Sequence, residues 1–382
     1  MMGLPLRPRR HMADGFSLIE VMIAMTIGLI ISLALATMFT KISETNREQF
    51  KAAMQIENGR YAVDLLSNTV RLAGYYGEFS AVPPAAASLP DPCAIPAEGN
   101  VSAATANSPL AFFIQGYAAA TASASATVPT ACQAWIDSDT LKPGSDILVV
   151  RRLDTIPLID PPTTTSATPD AGMVYVQTSD SLLDIQYGSG TAIDSSKNAK
   201  GAATAAELQR KDFTQALSGT PATRPTIAAY IRKLHVDIYF VANCRSGSGS
   251  NGMCTADDDT IPTLKRLELT ASGGAATMTV VPLVEGVEFF KAHYGVDTDG
   301  NGQVDSGGLS APATVADWQN VVQVEVRVLA RNTESSTGYT DGNSYDLGGG
   351  ISYTPSGAAA KFRRHAFHQQ IYITNVGGRR ET

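Results

Sequence analysis

Residues 15–40 read GFSLIEVMIAMTIGLIISLALATMFT. From Val21 to Thr40 no side chain is charged, and a helix of that length, at about 1.5 Å per residue, spans about 30 Å, the hydrocarbon thickness of a bilayer. The stretch is therefore a membrane span or an export signal. Arg7, Arg9 and Arg10 precede it, and a positive flank keeps the first residues cytoplasmic and directs the chain beyond the span outward. The remainder of the chain is expected outside the cytoplasm.

Three readings of this segment compete. An ordinary secretory signal needs a basic start, an apolar run and a small-x-small cleavage site, and Ala34-Leu35-Ala36 supplies the last, which would start the mature chain near Thr37. A plain single-span anchor is the second. The third accounts for one residue more: Glu20 stands at the lip of the run, where a carboxylate is costly and calls for a partner or a function.

Gly15-Phe16-Ser17-Leu18-Ile19-Glu20 with its uncharged tail resembles the amino-terminal signature of type IV pilins and type II secretion pseudopilins. The resemblance implies cleavage after Gly15 by a prepilin peptidase and N-methylation of the new terminus, Phe16. It also implies a retained helix that first anchors the subunit in the inner membrane and later packs in a filament core. Glu20 would pair with the terminal amine of a neighbouring subunit. Because an unpaired buried carboxylate costs several kcal/mol, such a pair favours correct docking. Glu57-Asn58-Gly59-Arg60-Tyr61-Ala62, then Arg71-Leu72-Ala73-Gly74-Tyr75, resemble the corresponding segment of PilW-type minor pilins. Asp146 to Arg152, Leu283 to Val287, Tyr294 to Gly300 and Phe362-Arg363-Arg364 are similar to that family as well. Residues 80–141 and 161–226 match nothing recognisable.

No proline occurs between Phe16 and Pro83, and Phe50, Met54, Tyr61, Leu65, Thr69 and Leu72 recur at helical spacings. One helix from Phe16 to Ala73, ended by Gly74, is expected. Beyond it the 33 Gly and 20 Pro point to a turn-rich body. Val322, Val324, Val326 and Val328 alternate with polar residues, the period of a strand with one buried face. Further strands are expected at Ile147–Arg151, Met173–Gln177, Leu234–Val241, Leu264–Leu269 and Phe367–Ile373, with loops at Ala118–Thr130, Pro161–Thr168 and Gly247–Gly252. The fold class is α+β, the outer half of a long helix packed on a β-rich domain. The expected organisation is a leader at 1–15, a membrane or filament-core helix at 16–40, the outer helix at 41–73 and the globular domain at 74–382.

The four cysteines are Cys93, Cys132, Cys244 and Cys254. An even count outside the cytoplasm favours disulfides, and three pairings are open. Proximity favours Cys93 with Cys132 and Cys244 with Cys254. One segment has metal-ligand spacing: Asp297, Asp299, Asn301 and Asp305 offer side-chain oxygens at positions 1, 3, 5 and 9, with the Gln303 carbonyl at position 7, as in the first half of a calcium-binding loop. Position 12 is Gly308 where a bidentate Glu would complete it. The competing reading is a turn of solvated carboxylates. Asp257-Asp258-Asp259 lacks such spacing and reads as a solvated turn.

Lys+Arg 29 against Asp+Glu 36 gives a net charge of −7, a poor balance for gripping phosphate backbones, so nucleic acid is disfavoured as the primary ligand. His235, His293, His365 and His368 form no recognisable catalytic pattern, and no P-loop, nucleophile elbow or dinucleotide fingerprint occurs. No enzyme is expected, and no cofactor beyond calcium. The resemblance implies a minor pilin, anchored once in the inner membrane with a periplasmic body and later part of the pilus. Its implied partners are other minor pilins, the major pilin, the prepilin peptidase/N-methyltransferase and the pilus assembly platform. A tip complex that primes assembly and supports adhesion and twitching motility is the expected role. A type II secretion pseudopilin, or a secreted or anchored binding protein, is the alternative.

Overall fold

The computed structural model describes residues 15–79, 87–102, 108–160, 166–179, 182–194, 196–202, 229–305, 309 and 311–380. Residues 1–14 of the expected leader, Gly308 and residues 161–165 of one expected loop lie outside these. The chain divides into two compact units, one ending at Ala52 and one beginning at Ala53.

Helix α1 runs Leu18–Arg71, and a short α2 at Thr374–Arg380 follows the last strand. The strands in chain order are β1 (Gly99–Ser102), β2 (Ile114–Tyr117), β3 (Ile147–Leu153), β4 (Ser166–Ala167), β5 (Val174–Thr178), β6 (Leu182–Tyr187), β7 (Ile193–Asp194) and β8 (Ile231–Ala242). They continue with β9 (Thr263–Ser272), β10 (Ala275–Glu285), β11 (Val287–Val296), β12 (Val321–Arg331), β13 (Tyr345–Gly348), β14 (Ile351–Tyr353) and β15 (Arg364–Tyr372). Antiparallel pairing gives a large sheet in the order β1-β6-β5-β8-β3-β2, with β9 also on β8 and β10 on β9. A second sheet runs β11-β12-β15. All six expected strands are present, several of them longer than the sequence pattern implied. The expected loop near Thr168 carries β4, which pairs with β7.

In the second unit, α1 buries Gln55, Gly59, Ala62, Val63, Leu66, Ser67 and Val70, a stripe at helical spacing. Of the residues that recur at helical spacing in the sequence, Phe50, Met54 and Tyr61 lie off this stripe, 66%, 42% and 56% exposed. Small residues make up much of the true contact stripe because they let the backbone approach the second sheet. A Cβ at Gly59 would lie 2.1 Å from the Phe367 ring, so the ring of β15 occupies the space a side chain would need. Ser67 Oγ donates to Gln369 Oε1 (2.7 Å), Gln55 Nε2 to the Ala330 carbonyl (2.9 Å) and Asn58 Nδ2 to the Glu285 carbonyl (3.1 Å). Each polar side chain on this face satisfies a group that burial would otherwise leave unpaired. Leu66 and Val70, fully buried, contribute about 1.5–3 kcal/mol apiece by leaving water. Gly74 ends the turn after α1 with φ +70°, and Asn375 Nδ2 donates to the carbonyls of Arg71 and Ala73.

Gly286 carries the chain from β10 into β11. Its φ is +76°, and a Cβ there would meet the Arg331 carbonyl oxygen at 2.6 Å, so only glycine fits. Two buried ion pairs lock the β11 region. Lys291 Nζ meets Asp146 Oδ1 at 2.6 Å, and both Asp146 oxygens also accept backbone N–H groups, from Ala119 (2.8 Å) and Ala292 (3.0 Å). Arg364 forks onto Glu288 (Nε to Oε2 2.5 Å, Nη2 to Oε1 3.0 Å), and its Nη1 reaches Asp341 Oδ2 at 3.2 Å. That cluster joins β15, β11 and the loop after β12, with Arg364's side chain wholly buried. Removing one member leaves a buried charge uncompensated, which costs about 3–5 kcal/mol. Arg364→Ala is therefore expected to destabilise the body by about that amount in chemical denaturation, whereas Arg363→Ala, at its more solvent-accessible neighbour, is expected to cost under about 1 kcal/mol.

Candidate functional site

The amino-terminal end of α1 is built from the residues of the GFSLIE stretch. Among the described residues, no atom beyond its chain neighbours lies within 4 Å of where a Cβ would stand on Gly15. Ser17 caps the helix: its Oγ accepts from the Ile19 N–H (3.2 Å), while Glu20 reaches back to accept from the Ser17 N–H (3.1 Å). The Glu20 bond is the carboxylate half of a capping box, with Ser17 taking the second helical amide in place of the third, and the Ser-x-x-Glu spacing is its signal in the sequence. It fixes where the helix begins and places Glu20 one turn inside.

From Phe16 through Phe39 the large apolar side chains are exposed on every side, with Phe16 at 84%. A helix apolar all round needs an apolar solvent or a partner. The hydroxyls within the run impose no further demand, since Thr26, Ser32, Thr37 and Thr40 each donate to a carbonyl three or four residues back on the same helix. Glu20 is the one ionisable side chain between Gly15 and Thr40. Among the described residues its only partner is the Ser17 N–H.

In the body, the disulfides are Cys93–Cys132 and Cys244–Cys254. The second lies in the connection between β8 and β9, stapling the base of a loop. The two stapled segments adjoin: Asn251 Nδ2 donates to the Ala134 carbonyl (2.9 Å), the Cys254 N–H to Thr140 Oγ1 (2.9 Å) and the Asn243 N–H to the Thr140 carbonyl (2.8 Å). Asp258 does more than face water. It accepts from the N–H groups of Ser248 (3.0 Å) and Thr255 (2.7 Å), and these donors hold its carboxyl down at about 2. Asp259 accepts from Arg245 and Ile261 N–H groups, both at 3.0 Å. The loop's conformation is thus written in hydrogen bonds to carboxylates as well as in the disulfide.

The 297–305 loop brings carboxylate oxygens of Asp297, Asp299 and Asp305 within 4.8 Å of one another. Asp297 is buried and accepts from the N–H groups of Gly300 (2.8 Å), Asn301 (3.1 Å) and Gly302 (3.0 Å). Asp305 accepts from the Thr298 N–H (2.6 Å) and hydroxyl, which lower its pKa, the hydroxyl most. Asn301 bonds along the loop, accepting from the Gln303 N–H (2.8 Å) and donating to Asp299 (2.8 Å). Tyr372 of β15 donates to the Gly302 carbonyl (2.7 Å), tying the loop to the second sheet.

Comparison with known families gives two matches. Residues 10–36 match the prokaryotic N-terminal methylation motif. An apolar helix opening on that motif, followed by a β-rich body, is consistent with the α+β pilin fold. Residues 238–375, from the second half of β8 into α2, match the type IV pilus-assembly protein W family, PilW. Together the two matches support a PilW-type minor pilin of type IV pili, anchored in a membrane and interacting with other pilus components. Domains of this family are structural. Segments 57–75 and 146–152, which also resemble PilW-type proteins, lie outside both matched ranges. No curated protein and no solved structure matches the chain.

The Asp258 bonds need the ionised carboxylate. Because its folded pKa is depressed from 3.8 to about 2, the contribution is fully present above the ordinary value and is lost as pH falls through about 2. Amide exchange at Ser248 and Thr255 is expected to be protected at pH 4 and to lose that protection near pH 2, and Asp258→Asn is expected to weaken it already at pH 4.

Proposed function

We propose that the chain is matured by a prepilin peptidase, which cuts after Gly15 and methylates Phe16, and is held in the inner membrane by residues 21–40 with its body in the periplasm. It then enters the pilus with other minor pilins and the major pilin at the assembly platform. A low-copy position in a priming complex at the tip, supporting adhesion and twitching motility, is the role we assign it. The observation that carries this reading is Glu20, the one ionisable group from Gly15 to Thr40 and, among the described residues, bonded only to its own cap. Lipid is as apolar as another helix, so lateral packing and a polar pair must drive the move from membrane to filament. The methylated amine of a neighbouring Phe16 supplies the missing cation.

Glu20→Ala should lower surface piliation at least tenfold while the protein remains at its normal level in the membrane. Normal piliation would contradict the role. A type II secretion pseudopilin would share the helix, but deleting it would stop protein secretion and leave pili intact.

We also propose calcium at the 297–305 loop. Oxygens bound to one calcium ion stand no more than about 5 Å apart, and an oxygen from each of the three carboxylates lies within 4.8 Å of the others. The ion would be held by Asp297, Asp299, Asn301, Asp305 and the Gln303 carbonyl. Millimolar calcium is expected to raise the melting temperature by several degrees, and Asp299→Asn with Asp305→Asn to abolish the rise. An identical melting temperature with calcium and with chelator would remove this proposal.

A further inference from the structure

Lys291 and Asp146 join the two sheets. Asp146 stands just before β3 of the large sheet and Lys291 lies in β11 of the second, 145 positions later, yet Nζ is 2.6 Å from Oδ1. Their side chains are 2% and 3% exposed, whereas the pairs of Lys51 with Glu48 (16% and 26%) and of Lys200 with Glu98 (43% and 35%) keep contact with water. In water such a pair is inert, because hydration holds the amine as ammonium and the acid as carboxylate, a poor electrophile. Burial removes the hydration that favours the two ions. A proton passed along the short hydrogen bond then leaves an amine beside a carboxylic acid.

The surroundings suit acyl transfer between them. Oδ2 accepts the Ala292 N–H (3.0 Å), a fixed donor at the oxygen where negative charge develops when Cγ is attacked. Oδ1 accepts the Ala119 N–H (2.8 Å) and the Ala119 carbonyl accepts from Nζ (2.9 Å), so one backbone residue holds both reacting groups. A carbon–oxygen bond of about 1.2 Å separates Oδ1 from Cγ, which puts Nζ no more than about 3.8 Å from that carbon, near an attack distance of about 3–3.5 Å. Arg364 with Glu288 is as well buried, but a guanidinium keeps its charge and offers no lone pair.

We propose that Lys291 and Asp146 condense into an intramolecular isopeptide bond. One Nζ proton moves to Oδ1, and the Nζ lone pair attacks Cγ to form the N–C bond. A second Nζ proton moves to the Oδ1 hydroxyl, which leaves as water with the electron pair of the broken C–O bond. Ammonium and carboxylate thus become an amide and one water, with nothing oxidised or reduced and no co-reactant. The amide retains an N–H for the Ala119 carbonyl and an oxygen for the Ala292 N–H, and both buried charges are gone. Neither disulfide makes such a link, since Cys93–Cys132 lies before β3 and Cys244–Cys254 between β8 and β9. The reaction needs only the folded body, so it is independent of the place proposed for the chain in the pilus.

The test uses the full chain purified from membranes, denatured with both disulfides reduced, weighed intact and then digested with a lysine-specific protease. The expected mass is one water below that of the mature sequence, with no cleavage after Lys291 and a branched peptide joining Lys291 to Asp146 in tandem mass spectrometry. Lys291→Arg, which keeps the charge without the nucleophile, is expected to restore the water and abolish the branched peptide. The measurement on the unaltered chain decides the matter even if that variant fails to accumulate. Full mass with complete cleavage after Lys291, or a water lost instead at another site such as a succinimide at Asp299-Gly300, would overturn the proposal.

Discussion

A carboxylate that no cation among the described residues neutralises is the constraint on which the proposed assembly depends. Glu20 opens a helix that is apolar on all sides, and its capping bond to the Ser17 N–H satisfies one oxygen without supplying a cation. The hydroxyls along the helix fold back on their own carbonyls, so they neither help nor compete. Removing water from this segment, whether by lipid or by other helices, raises the cost of the lone charge and hence the value of an external amine. A polar demand at one defined depth selects one axial position among many that apolar packing alone would allow.

The body answers to a different constraint. Its helix meets the second sheet through small side chains, which brings backbone close to backbone and leaves Phe367 to fill the gap over Gly59. Long-range polar contacts then fix the register: Asn58 to Glu285, Gln55 to Ala330 and Ser67 to Gln369. Buried ion pairs of Lys291 with Asp146 and of Arg364 with Glu288 and Asp341 specify how the loops around β11 close. Such pairs add little net stability over apolar packing, but breaking one is expensive, so they discriminate against misassembly.

Much of this is legible from the residues alone. The uncharged run beyond Glu20 announces α1, and the valine alternation announces β12, because each period is a direct consequence of backbone geometry. The disulfide pairs follow from proximity. Other features are hidden for physical reasons. The buried face of α1 is masked because Phe50, Met54 and Tyr61 are more conspicuous than the Gly59, Ala62 and Ser67 that make contact. β10 and β11 are obscured because Pro282 and Gly286 punctuate them like a loop. Asp258 looks solvated because the amides it binds are supplied by turns that no pattern of side chains encodes. The Arg364 cluster draws in Glu288, 76 positions earlier in the chain, and only the fold unites them.

The most direct measurement of the central claim is the mass of the mature chain's amino-terminal peptide, isolated from membranes. A helix kept for assembly, with its acid one turn inside the terminus, requires a peptide beginning at Phe16 and heavier by one methyl group. A chain beginning near Thr37, with the helix discarded, or one still beginning at Met1, would contradict it.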